Sequence, residues 1–99
     1  MNGHPLAIIQ KLDNELFDNV KKTREMALTE GVLSQKTKLL IAIALDAAKG
    51  SEGGVRSLTE QAIKNGASKD EIMETIRVTN FICGASSVYP AAYALKEIF

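Results

Sequence analysis

Seven consecutive residues, Leu39-Leu40-Ile41-Ala42-Ile43-Ala44-Leu45, are all apolar, and they set the strongest limit on how this chain can fold. Ser34 before them is a good N-cap, and Gln35, Lys36 and Lys38 give a polar first turn, so the run reads as the middle of a helix from Gln35 to about Lys49. A helix that is apolar on every side is buried on every side. A chain of 99 residues has one small core and buries only about two-thirds of its unfolded surface. It cannot cover such a helix all round, so part of the run is expected to be an interface between copies. The run is also far short of the ~20 residues needed to cross a bilayer.

Helix punctuation continues on both sides. From Pro5 to about Glu30, the residues Leu6, Ile9, Leu16, Val20 and Ala27 recur at helical steps, with a possible break near Lys22-Thr23 and a stop at Gly31. Lys11, Asp13, Asn14, Asp18 and Lys21 form the solvated side. After Gly50-Ser51-Glu52-Gly53-Gly54, a permissive turn, a third helix places Val55, Leu58, Ala62 and Ile63 on one face and ends at Gly66, where a left-handed residue belongs. Ser68-Lys69-Asp70-Glu71 has the spacing of a capping box. It opens a fourth helix with Ile72, Met73, Ile76 and Asn80 on one side, ending near Gly84. Ser86 or Ser87 is expected to cap a last helix to Phe99, with Pro90 in its first turn and Val88, Ala91, Ala92, Leu95 and Phe99 facing inward. Strand signals are weak throughout. The expectation is one all-α domain, residues 1–99, of about five helices.

Charge narrows the function classes. Twelve basic and twelve acidic residues cancel, and no Lys/Arg block stands out, so the electrostatic footprint of a nucleic-acid or anionic-membrane binder is missing. Two Tyr, three Phe and no Trp offer few stacking platforms for bases. The start Met1-Asn2-Gly3-His4-Pro5 lacks the basic and apolar regions of a signal peptide. The one cysteine, Cys83, has no internal disulfide partner, which fits a reducing, cytoplasmic setting. One His and one Cys supply too few ligands for a structural zinc site, and no cofactor motif is visible.

Several residues have a chemical reading beside a structural one. The Gly50–Gly54 turn, with backbone amides opening the next helix, can hold a small anion, with Ser51, Gly53, Gly54, Arg56 and Ser57 as the ligand-binding candidates. The simpler reading is a flexible connection between two helices. Glu52, Arg56 and Glu60 at four-residue steps read as an exposed ion-pair row worth a few tenths of a kcal/mol. As catalytic carboxylates, Glu52 or Glu60 would need an enclosed apolar setting. Cys83, at the end of an apolar helix, reads first as a buried, inert thiol, because a reactive thiolate needs a positive or helix N-terminal environment. His4 reads as solvent-exposed, and Tyr89 and Tyr93 as packing residues.

The stretch from Gly31 to Phe99 resembles the carboxymuconolactone decarboxylase family, which includes the alkylhydroperoxidase D-like proteins. Leu33-Ser34-Gln35-Lys36-Thr37-Lys38-Leu39-Leu40-Ile41-Ala42 is similar to one family helix. Ala62-Ile63-Lys64-Asn65-Gly66-Ala67-Ser68-Lys69-Asp70-Glu71-Ile72 is similar to its Gly-Ala-Ser/Thr-x-x-Glu-Ile segment. The resemblance implies an alkylhydroperoxidase D-like helical fold, with the second and third helices as an antiparallel hairpin, and a homo-oligomer, trimer or hexamer. The hydroperoxidase-like members carry a Glu, a Cys-x-x-C pair and a His four residues beyond the second Cys. Aligned on Ala62 and Gly66, the Glu position falls on Leu39, the two thiols on Ser51 and Gly54, and the His on Leu58.

Three functions follow as expectations. One is a peroxidase-like or disulfide-reducing activity, which would depend on Cys83. Another is a thiol-independent activity on a small anionic or lactone-like ligand at the Gly53-Gly54 turn, using Glu52, Arg56, Ser57 or Glu60. The last is a non-catalytic oligomeric binding or scaffold protein, with Leu39 and Leu58 filling the old site. An enclosed pocket between the second and third helices would favour the second reading, and a filled interface the third.

Overall fold

A computed structural model describes residues 5–99; His4 and the residues before it lie outside the described part of the chain. Every regular element among the described residues is helical: α1 (Leu6–Leu12), α2 (Asn14–Leu28), α3 (Gln35–Lys49), α4 (Glu52–Lys64), α5 (Lys69–Cys83), a 3-10 turn at Ala85–Ser87, and α6 (Val88–Leu95). None of these helices is long and apolar enough to cross a membrane.

The first helix of the sequence reading is two helices, and the break is at Asp13 rather than Lys22-Thr23. Asp13 leaves helical geometry (φ −151°, ψ 84°), and its carboxylate accepts the Leu16 N–H at 3.0 Å. A short acidic side chain that satisfies a free amide at a helix start favours a new helix there over continuation of the old one. The second helix then stops at Leu28, with Thr29 extended, before Gly31 is reached. This amphipathic arm buries Phe17 alone.

α3 is the centre of the rest. Its Leu39, Ile43 and Ala47, at four-residue steps, are completely or almost completely buried. α4 packs on α3 as the expected hairpin, joined through Gly50 (φ +78°) and Ser51. α5 packs on α3 and α6 on α4. Val55, Leu58 and Ala62 of α4, Ile72 and Ile76 of α5, and Ala91, Ala94 and Leu95 of α6 complete one contiguous core. Ser34 accepts the Thr37 N–H, and the Ser68/Glu71 capping box forms in both directions. Gly66 and Gly84 carry the positive φ that a helix stop requires (+93° and +80°).

Two details of the C-terminal part differ from expectation. Ser87 does not cap α6; its hydroxyl donates to the Gly84 carbonyl at 2.7 Å, within the 3-10 turn. On α6, Ala91 and Leu95 are buried and Val88 half-buried as expected, but Ala94 rather than Ala92 completes the inner face. The chain tightens after Leu95 into i to i+3 hydrogen bonds (Ile98 N–H to Leu95 at 3.0 Å), which turns Phe99 outward. On α5, Met73 and Asn80 are exposed, and Thr79 takes the inner position. The all-apolar run of α3 divides in the same way: Ile41 and Leu45 remain 46% and 61% exposed on the single chain.

Candidate functional site

The turn between α3 and α4 is where the glycine-rich segment and most of the candidate residues fall. α3 ends at Gly50, whose N–H donates to the Ala47 carbonyl, and the Ser51 N–H donates to the Asp46 carbonyl at 2.8 Å. The helix resumes at Glu52. Gly53 and Gly54 are therefore the first turn of α4 and not a free loop, a correction that follows from the tight reversal at Gly50. Gly54 has a packing reason: a Cβ there would lie 2.1 Å from Asp46 Oδ2 and 2.8 Å from Ser51 Oγ. The Asp46 carboxylate thus rests against the N-terminal turn of α4, where the helix dipole is positive. An external anion at this turn would meet that carboxylate first.

The charged candidates are spread along the outer side of α4. Arg56 and Glu60 lie 3.8 Å apart, with side chains 57% and 55% exposed, and such a pair contributes little. Glu52 is exposed and makes no ion pair among the described residues. Ser57 accepts from the Gln61 side-chain amide at 3.2 Å, and the Gln61 side-chain oxygen Oε1 accepts from Arg24 at 2.6 Å. That chain ties α4 to the arm. Arg24, Gln61 and Asp46 escaped sequence reasoning because each acts across elements, and only Gly54 hinted at a neighbour that needs the space.

Behind these residues the hairpin is filled. Leu39 and Leu58 are 1% and 9% exposed and belong to the same buried cluster. Beside Leu58, Thr59 is wholly buried, and its hydroxyl has no hydrogen-bond partner. Thr79 on α5, equally inward, bonds its hydroxyl to the Thr75 carbonyl at 2.9 Å.

Cys83 is exposed, not buried as its apolar neighbours suggest. It is the last residue of α5, where the helix outruns the core, and Phe81 and Ile82 beside it are 84% and 73% exposed. α4 and α5 each pack on α3 and hardly touch one another, so Cys83 is not brought together with Glu52 or Glu60. No cluster of His, Cys, Asp or Glu among the described residues is arranged to hold a metal ion.

The fold and sequence can be set beside known proteins. The chain is 26% identical over 97 residues to the uncharacterized protein MJ0742 of Methanocaldococcus jannaschii, an alignment covering 97% of this chain and 93% of that one. The crystal structure of apo-lpg0406, a carboxymuconolactone decarboxylase family protein from Legionella pneumophila, superposes with a TM-score of 0.86 at 33% identity, covering 92% of this chain and 81% of that one. The sequence model of the Carboxymuconolactone decarboxylase family matches residues 14–97, from the first residue of α2 to just beyond α6. With most of its length matched in sequence and in three dimensions, this chain belongs to the carboxymuconolactone decarboxylase family.

Proposed function

We propose that this family member works without thiol–disulfide chemistry, as a non-catalytic oligomeric binding or scaffold protein. The observation that carries the reading is the burial of Leu39 and Leu58 in one hydrocarbon cluster. Aligned on Ala62 and Gly66, they fall where the hydroperoxidase-like members that this sequence resembles carry a Glu and a His. Neither leucine can accept or deliver a proton, and an intramolecular dithiol–disulfide cycle needs two thiols where the chain has one. The turn at Ser51 and Gly54 offers no replacement, since the Asp46 carboxylate already lies against it.

Assembly is supported by the apolar surface that the single chain leaves open. Ile41 and Leu45 on α3 and Val78, Phe81 and Ile82 on α5 are all exposed. A shallow groove lined by Leu40, Ile41, Ala44, Thr75 and Val78 runs between the two helices. Exposed apolar surface of this extent marks an interaction face, and a homo-oligomer, trimer or hexamer, is the assembly proposed. A reducing, cytoplasmic location accords with the unpaired Cys83.

The exposure of Cys83 favours a second reading, a residual peroxidase-like activity resting on that thiol alone and resolved by an external thiol. One experiment separates the two. Hydroperoxide and disulfide reduction are measured on the wild type and Cys83→Ser, with the oligomeric mass determined by light scattering. No turnover in either, together with a mass above that of one chain, is the expected result. Turnover that disappears in Cys83→Ser overturns the proposal and establishes Cys83 as the reactive thiol.

A further inference from the structure

A groove of about 470 Å³ lies away from the α3–α4 hairpin, between α5 and α6. That volume falls in the range of small-molecule sites, about 300–1,000 Å³. Ile76, Val88 and Ala92 form its apolar lining, with Met73 and Tyr89 beside them. Its charged and amide groups come from one helix: Arg77 and Asn80, three residues apart and so on the same side of α5, while Tyr89 of α6 brings a hydroxyl. Arg77 makes no ion pair among the described residues, not even with Glu74 one turn before it. The Asn80 side chain makes no hydrogen bond there either; it is the Asn80 backbone carbonyl that accepts the Gly84 N–H.

An apolar trough with one unspent guanidinium and one unspent amide has a definite complement. We infer that the α5–α6 groove binds a small apolar monocarboxylate, its chain on Ile76, Val88 and Ala92 and its carboxylate on Arg77 and Asn80. A guanidinium fork matches the two oxygens of a carboxylate, and the Asn80 amide adds a third donor. A single cation suits a single negative charge; a phosphate or a dicarboxylate would leave charge unmatched in an apolar trough. The inference is independent of the proposed function, and absence of binding here leaves the thiol question where it stands.

Octanoate and its uncharged counterpart octanol are the probes. Both are titrated into the 15N-labelled full-length protein and followed by amide chemical shifts, for the wild type, Arg77→Gln and Ala92→Leu, with the mass of each variant measured in parallel. Both substituted residues are exposed, so the fold is expected to survive. Octanoate is expected to shift signals of residues 73–92, with a Kd raised about three- to tenfold by Arg77→Gln, as for one partly solvated charged contact. Octanol binding should be unchanged by Arg77→Gln, and Ala92→Leu, which fills the trough, should weaken both. The inference is overturned if octanoate shifts no signals of the groove, or if Arg77→Gln leaves its affinity unchanged. It is equally overturned if Ala92→Leu lowers the oligomeric mass, since the groove would then hold a second copy of the chain.

Discussion

The arm, α1 with α2, and the bundle of α3 to α6 are written in the same sequence language and end differently. Both carry apolar residues at helical spacing, and each contains a fifteen-residue helix with a side-chain cap, α2 at Asp13 and α3 at Ser34. In the bundle the stripes meet one another, and Leu39, Ile43, Val55, Ile72 and Ala91 are exposed by 1% or less. In the arm only Phe17 is buried, while Ile8, Leu12, Leu16 and Val20 remain 37% to 73% exposed. Apart from Leu28, half-buried against the bundle core, the arm is held by polar contacts, Lys38 to the Thr29 carbonyl at 2.7 Å and Arg24 to Gln61 at 2.6 Å. Periodicity therefore specifies a face but not what covers it. A helix of fifteen residues with little packing is marginal by itself, so the arm draws its stability from whatever meets its stripe.

The sharpest test of this contrast is a pair of truncations. Ile43→Ala in the bundle should cost about 2–5 kcal/mol, the loss of buried methyl groups plus the cavity left behind. Leu16→Ala in the arm should stay within about 0.5 kcal/mol, as surface changes do. Urea unfolding at low protein concentration measures both. Should Leu16→Ala prove as costly as Ile43→Ala, the arm is packed in solution, and a dependence of that cost on protein concentration would identify a second copy as the cover.

Caps give a matched pair of smaller effects. Ser68→Ala removes half of the capping box on α5 and should destabilise the protein by about 1 kcal/mol. Asp13→Ala removes an equivalent bond, 3.0 Å to the Leu16 N–H, but from a helix outside the core. Its effect on global unfolding should be less than half as large and should appear as faster hydrogen exchange confined to residues 14–19. Equal losses in global stability would unite arm and bundle in one cooperative unit.

How far the sequence reaches follows the same division. The boundaries of α3, the capping box and the stops at Gly66 and Gly84 are local chemistry, written within four residues of where they act, and the sequence reading places them correctly. The break at Asp13 is missed because an acidic residue on an amphipathic helix reads equally as solvated surface or as a cap. Cys83 is misjudged because apolar neighbours signal burial only while the helix still lies over the core, and α5 runs past it. At the hairpin the glycines are legible, but the Asp46 carboxylate that makes Gly54 necessary is not, since a contact across a turn has no periodic signature. Arg77 and Asn80 stay silent until α6 closes the groove beside them.

The glycines of α4 offer a test inside the bundle. A Cβ on Gly53 meets nothing within 4 Å, so Gly53→Ala should stabilise the protein by about 0.5–1 kcal/mol, the helical penalty of glycine relieved. Gly54→Ala should not gain this, because the Asp46 carboxylate must swing away first. Thermal unfolding of the two variants decides it. A loss at Gly53 would mean that the turn needs glycine for something other than helix initiation.

The smallest effect concerns an electrostatic link that the bundle has and the arm lacks. The Glu71 carboxyl is held below its ordinary value of 4.5, first by the Ser68 backbone N–H that it accepts and then by Lys36, at 2.9 Å each. It joins the first turn of α5 to the first turn of α3. A carboxyl whose folded pKa is depressed adds stability that is complete above the unfolded value and is lost as pH falls through the folded one. Wild type should therefore exceed Glu71→Gln at pH 7, and the two should converge as pH drops below about 4.5. The gap should be small, because both partners are more than one-third exposed, and 1 M salt should narrow it further by screening the Lys36 pair. Urea unfolding at pH 7 and pH 3, with and without salt, separates the two contributions. A glutamine at 71 can still accept the Ser68 N–H, so the part that salt leaves at pH 7 is the added strength of that bond when its acceptor is charged, and a gap abolished by salt would assign the whole effect to Lys36.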